Sequence, residues 1–151
     1  MAKITTYSFK DTSGAFTHPL AGAFPFSGQI GAGQFTISMS TEKSVHDVAS
    51  DGAVMVSAIS GDNGNVSIEV QQTSDFHAFL LAWYNTIKTA MDNGDVTTFA
   101  SATLTLRNIV DGSTHICRGI TPSKVPDKVY AAQGQRITWT LMCADIQNVT
   151  L

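Results

Sequence analysis

The chain has 151 residues, of which 14% are charged and 43% hydrophobic, with a formal net charge of −3. That length suits one domain, residues 1–151, with a proper core. Ample apolar content and low charge exclude intrinsic disorder, and mild acidity gives no reason for a phosphate-gripping surface.

Charge is well below the ~25% usual for globular domains, and Ser, Thr, Gln and Gly take its place. Such a surface is polar yet suited to burial against copies of itself. The start, "MAKITTYSF", lacks the apolar core of a signal peptide, and no run approaches the roughly eighteen apolar residues of a membrane helix. Synthesis in a reducing cytoplasm, without a membrane anchor, is the expectation, with Cys117 and Cys143 as buried thiols.

The first distinctive segment runs from Thr12 to Thr41 and contains no Asp, Glu, Lys or Arg. It is too rich in Gly, Pro and Ser for a helix, yet it carries Phe16, Leu20, Phe24, Phe26 and Ile30. Something must shield these side chains, and other subunits are the expected cover. Within "QFTISMS" Phe35, Ile37 and Met39 share one face, and Thr36 and Ser38 the other, as in a strand with one face buried. The loop "STEKSVHDVASDG", Ser40–Gly52, then holds the densest charge in the chain: Glu42, Lys43, His46, Asp47 and Asp51.

Further along, "NVSIEVQQ" sets Val66, Ile68 and Val70 against Ser67 and Glu69, and Asn63-Gly64 before it predicts a hairpin with "AVMVSAIS". The period then changes. Phe76, Phe79, Leu80, Trp83 and Ile87 fall at helical spacing, and with Ala90 and Met91 they predict one amphipathic helix over about 74–92. Thr73 or Ser74 supplies its N-cap, Asp75 a favourable first-turn charge, and Asn93-Gly94 its end. Alternation returns in "SATLTLRN", where Thr103 and Thr105 oppose Ala102, Leu104 and Leu106. Asp111-Gly112 turns that strand into "STHICRGI", and "RITWTLMCA" places Ile137, Trp139, Leu141 and Cys143 opposite Thr138 and Thr140. The architecture is mainly β: a two-sheet barrel or sandwich packed on one helix.

Chemistry is sparse. His18, His46, His77 and His115 have no metal-ligand spacing, and His77 is expected at the surface or an interface. Gly28, Gly31 and Gly33 lack the Lys-Ser/Thr of a phosphate loop. Many aspartates occupy turn or cap positions, and the nine basic residues do not cluster with aromatics, which argues against specific nucleic-acid recognition. No cofactor and no catalysis are expected. The alternative of another class is a small ligand-binding β-barrel or enzyme built around His115 and Cys117, which lie two apart on one strand.

The run "SVHDVASDGAVMVSAISGDNGNVSIEVQQTSDFHAFLLAWYNTI", Ser44–Ile87, resembles the tail tube proteins of contractile-tailed bacteriophages, in particular the phiTE-like group. "TYSFKDTSGAFTHPL" and "RITWTLMCADIQNV" are similar too, so the resemblance spans nearly the whole chain. It implies a tube-type fold of two sheets flanked by one helix, and hexameric rings stacked into a hollow tube. The implied partners are a tail sheath, baseplate and tail terminator proteins, with a tape-measure protein and genomic DNA transiently in the bore. A type VI secretion-like or pyocin-like tube is the nearest alternative.

On that resemblance Glu42, Lys43, His46, Asp47 and Asp51 are expected in an inter-ring contact loop, and Phe16, Leu20, Phe24, Phe26 and Ile30 between subunits. The hydroxyl-rich faces, with Thr36, Ser38, Ser67, Thr103 and Thr105, are candidates for the lumen, and Glu69 for a lumenal acid. Six copies at −3 each carry about −18 per ring, which favours a neutral or negative bore that does not grip phosphates. Virion placement and assembly in the host cytoplasm follow from the same resemblance.

Overall fold

In the computed structural model, which describes residues 2–27 and 31–150, the two sequence periods appear as two kinds of element. A short 3-10 turn at Phe9–Asp11 leads into β1 (Thr12–His18), β2 (Gly22–Ser27), β3 (Ala32–Met39), β4 (Ser44–Val48), β5 (Val54–Ala58) and β6 (Gly64–Gln71). Helix α1 (Asp75–Asp92) follows, then β7 (Ala102–Asn108), β8 (Ser113–Pro122) and β9 (Arg136–Thr150). Seven strands form one antiparallel sheet in the order β2-β1-β7-β8-β9-β6-β3, while β4 and β5 make a separate two-stranded ribbon. The fold is mainly β with one helix.

Alternation decides the sheet's inner face. Val66, Ile68 and Val70 of β6, Ala102 and Leu104 of β7, and Ile137, Trp139 and Leu141 of β9 are buried, while the residues between them point away. Helix α1 lays Phe76, Leu80, Trp83 and Ile87 against that face, and Phe79 is partly buried beside them. The Ser74 hydroxyl accepts the His77 N–H at 3.2 Å, which caps the first turn.

β2 and β3 end the strand order at opposite sides, yet Phe26 and Phe35 stack with ring centroids 5.4 Å apart. Phe76 meets both, at 5.1 and 6.3 Å. The sheet thus curls into a half-barrel whose open seam is closed by aromatic contacts and the helix, not by strand pairing.

Two expectations are corrected here. The Asn63-Gly64 hairpin does not form: β5 pairs with β4, and β6 pairs with β3 and β9. Gly64 serves close approach instead, because a Cβ there would collide with the Ser38 carbonyl and the Ile146 side chain. The turn residue is Gly52, at φ +89°, joining β4 to β5.

The uncharged segment is also largely shielded by its own chain. Phe16 is fully buried, edge-to-face with Trp83 at 5.0 Å, and Phe26 is 6% exposed. Phe24 packs on Phe76 and Phe79, each at 5.2 Å. Phe16 and Phe26 thus belong to the core and are not free for a neighbouring subunit, whereas Phe24 is partly buried against it. Leu20 remains exposed, and Ile30 lies outside the described residues.

Candidate functional site

The charged loop proves to be the first half of the β4–β5 hairpin. Its base is tied by the Ile59 N–H donating to the Lys43 carbonyl at 2.9 Å. Lys43 Nζ pairs with Asp62 at 2.6 Å and also donates to the Gly61 carbonyl. At the tip Asp51 accepts the Ala53 N–H at 2.9 Å, and Gly52 donates to the Ala49 carbonyl at 2.9 Å.

Between base and tip every strand residue is exposed. The register puts Val48 opposite Val54 and His46 opposite Val56 on one face, with Val45, Asp47 and Met55 on the other. Val48 and Met55 are 65% and 62% exposed, so apolar side chains project on both faces, uncovered among the described residues. A two-stranded hairpin on its own is marginal in water, and exposed apolar clusters of this kind mark contact sites. Of the charges expected there, Lys43 is committed to the base, whereas Glu42, His46, Asp47 and Asp51 stay exposed. The apolar complement escaped the sequence reading. Its signal was Asp51-Gly52, flanked by two short strand-like runs.

A second surface is the sheet face turned away from the core. Thr36 of β3 lies directly across from Ser67 of β6, which lies across from Thr140 of β9. Gln34, Glu69 and Thr138 form the next row, and Ser38, Asn65 and Met142 the one after. Thr103 and Thr105 point the same way on β7, but β8 separates them from this ladder. Glu69 is not a lone acid: its carboxylate accepts from Arg136 at 3.0 Å, so that charge is balanced within the chain.

The histidines and thiols take structural roles. His18 Nδ1 accepts the Leu20 N–H at 3.1 Å and so leaves its Nε2 proton for the Thr98 carbonyl at 2.8 Å. His77 is buried, contrary to the surface role expected of it, because its ring faces Trp139, whose Nε1–H donates to Nδ1 at 3.0 Å. Burial and then the nearby Lys128 charge lower its pKa from the ordinary 6.5. Cys117 and His115 do not form a nucleophile pair. His115 Nδ1 meets Asn148 Oδ1 at 2.6 Å, and Cys117 is hydrogen-bonded to Cys143. That bond lowers the Cys117 pKa, and the bond together with burial raises that of Cys143. Neither thiol is accessible to a substrate.

The described residues therefore present contact surfaces. The model of the bacteriophage phiTE tail tube protein family matches residues 4–150. The chain belongs to that family. It is a structural, non-enzymatic tail tube protein, a component of a phage tail.

Solved structures carry the same fold as this tail tube protein at low identity. A chain in the structure of the sheath/tube terminator of an extracellular contractile injection system (PVC, extended state) is 11% identical with a TM-score of 0.60, covering 99% of this chain and 100% of that one. A chain of the anti-feeding prophage (AFP) baseplate is 10% identical with a TM-score of 0.60, over 99% and 98%. A chain of the PVC sheath-tube complex is 11% identical with a TM-score of 0.53, over 91% and 88%. Comparison with curated proteins gives no match.

Proposed function

We propose that the chain, acting as one tail tube domain over residues 1–151, forms hexameric rings that stack into the tube through which the phage genome enters the host. A sheath surrounds this tube, baseplate and terminator proteins close its ends, and the tape-measure protein and then DNA occupy the bore. Assembly takes place in the host cytoplasm. The observation that carries the reading is the β4–β5 hairpin, an arm with apolar side chains bare on both faces. Such an arm is stable only under cover, and a neighbouring ring supplies it.

The hydroxyl ladder of β3, β6 and β9 is the proposed lumen wall. Thr36, Ser67 and Thr140 offer a wetted surface, and the Glu69–Arg136 pair adds no net charge. Without uncompensated cations the wall releases no counterions from DNA and does not hold it. Leu20, exposed at the β1–β2 turn, is proposed as a contact between subunits.

Negative-stain microscopy and sedimentation of the purified chain test this. Rings or tubes are expected with rising concentration. They should be absent when residues 44–58 are replaced by two glycines while the rest stays folded. A strict monomer at every concentration, or normal tubes without the hairpin, overturns the reading.

A further inference from the structure

We infer that the hairpin of one copy seats in one particular hollow of the next copy, between the C-terminal half of α1 and the end of β8, rimmed by Lys88 and Lys124. This rests on the tube reading and adds to it the acceptor surface.

The hollow encloses about 240 Å³ over Tyr84, Ile87, Met91 and Phe99. Met91 is 43% exposed there, so the floor is both apolar and open. Two ammonium groups stand at its edge, and among the described residues neither has a carboxylate within 4.0 Å, since the ion pairs are Lys43–Asp62 and Arg136–Glu69. The hairpin is the matching piece: the exposed Val45 and Met55 share one face with Asp47, Asp51 stands at the tip, and among the described residues neither carboxylate has a cation within 4.0 Å. Apolar floor meets apolar face, and two cations meet two anions.

Three other depressions fit less well. One of about 300 Å³ beside Phe9 and Phe35 bears Asp111, which repels an acidic arm. One of about 490 Å³ beside Leu20 and Asn85 has no charge to offer. One of about 450 Å³ beside Tyr130 holds Arg136, already engaged by Glu69.

Geometry also favours an axial contact. Donor and acceptor are different patches of one chain, so each bound copy presents a fresh acceptor and the contact propagates. Five residues per strand give the arm a reach of about 17 Å at roughly 3.3 Å per residue, enough to cross into an adjacent ring.

Charge reversal on each side, and on both, is the test. Asp47→Lys with Asp51→Lys, or Lys88→Glu with Lys124→Glu, should each cut the sedimentable fraction about tenfold, and all four changes in one chain should restore it to within about twofold. All four positions are exposed, so thermal melts should match the parent chain and separate lost assembly from lost folding. Zero-length carbodiimide coupling of mixed heavy- and light-isotope chains should join Asp47 or Asp51 to Lys88 or Lys124 between copies. Normal tubes from the lysine variant, or no rescue by the fourfold variant, overturn the acceptor while the tube reading stands. Normal tubes without the hairpin overturn both.

Discussion

Phe16 shows how burial works at the scale of a residue. Its ring sits at zero exposure among Trp83 and Phe79, so Phe16→Ala leaves a cavity that the sheet and helix cannot both collapse into. A loss of about 3–5 kcal/mol in urea unfolding is expected. Phe26→Asp places a carboxylate in the same core, so the chain should fail to fold. His77 adds a pH dependence. Its folded pKa lies below the ordinary 6.5, so above that value both states are neutral and the stability is fully present. As pH falls below 6.5 the unfolded chain takes up a proton that the folded chain refuses, and stability declines until the folded pKa is passed. Thermal melts should therefore fall as the pH drops below the ordinary 6.5, and the His77→Gln variant should flatten that slope. The histidine was visible in the sequence, but its environment was not. Trp139, which fixes its tautomer, is 62 residues away.

Elements differ in how much of their fate is local. α1 is nearly self-specifying: a 3.6-residue stripe, Ser74 before it and Asn93-Gly94 after it predict bounds that match Asp75–Asp92. Ser74→Ala should cost about 1 kcal/mol of stability, read from the denaturation midpoint, because one first-turn N–H loses its acceptor. The hairpin is the opposite case. Val54, Met55 and Val56 form a continuous apolar run that fits a buried central strand as well as an exposed ribbon, so nothing in the period says that β4 and β5 stand apart from the main sheet. Asn63-Gly64 misleads for a related reason: glycine is demanded there by the Ser38 carbonyl and Ile146, both remote in sequence, and not by a turn. Excising residues 44–58 removes little buried area, so the melting midpoint should correspond to a change within about 0.5 kcal/mol even as assembly is lost.

For the whole molecule the consequences concern contacts between copies. Contact through exposed charges should be screened, so the concentration needed for tubes should rise between about 0.05 and 0.5 M salt, followed by light scattering. The polar sheet face makes a separate prediction. Thr36→Lys with Thr140→Lys should leave tubes normal by microscopy, since both side chains point away from the core. Those tubes should retain DNA in a salt-dependent way, as measured by filter binding, whereas the parent tubes should not. The half-barrel also leaves β2 and β3 as edges with unpaired backbone groups, which an assembly can occupy.

Period, capping and charge scarcity are written locally, and they suffice for a mainly β fold with one helix and for a surface made to be covered. What covers each apolar side chain is a different matter, because the hydrophobic effect has no direction. A charge-free run carrying Phe16, Phe24 and Phe26 suits its own helix as well as another subunit, and the curl of the sheet assigns those rings to the helix. The same curl leaves Val48, Met55 and Val56 outside, where none of the described residues covers them.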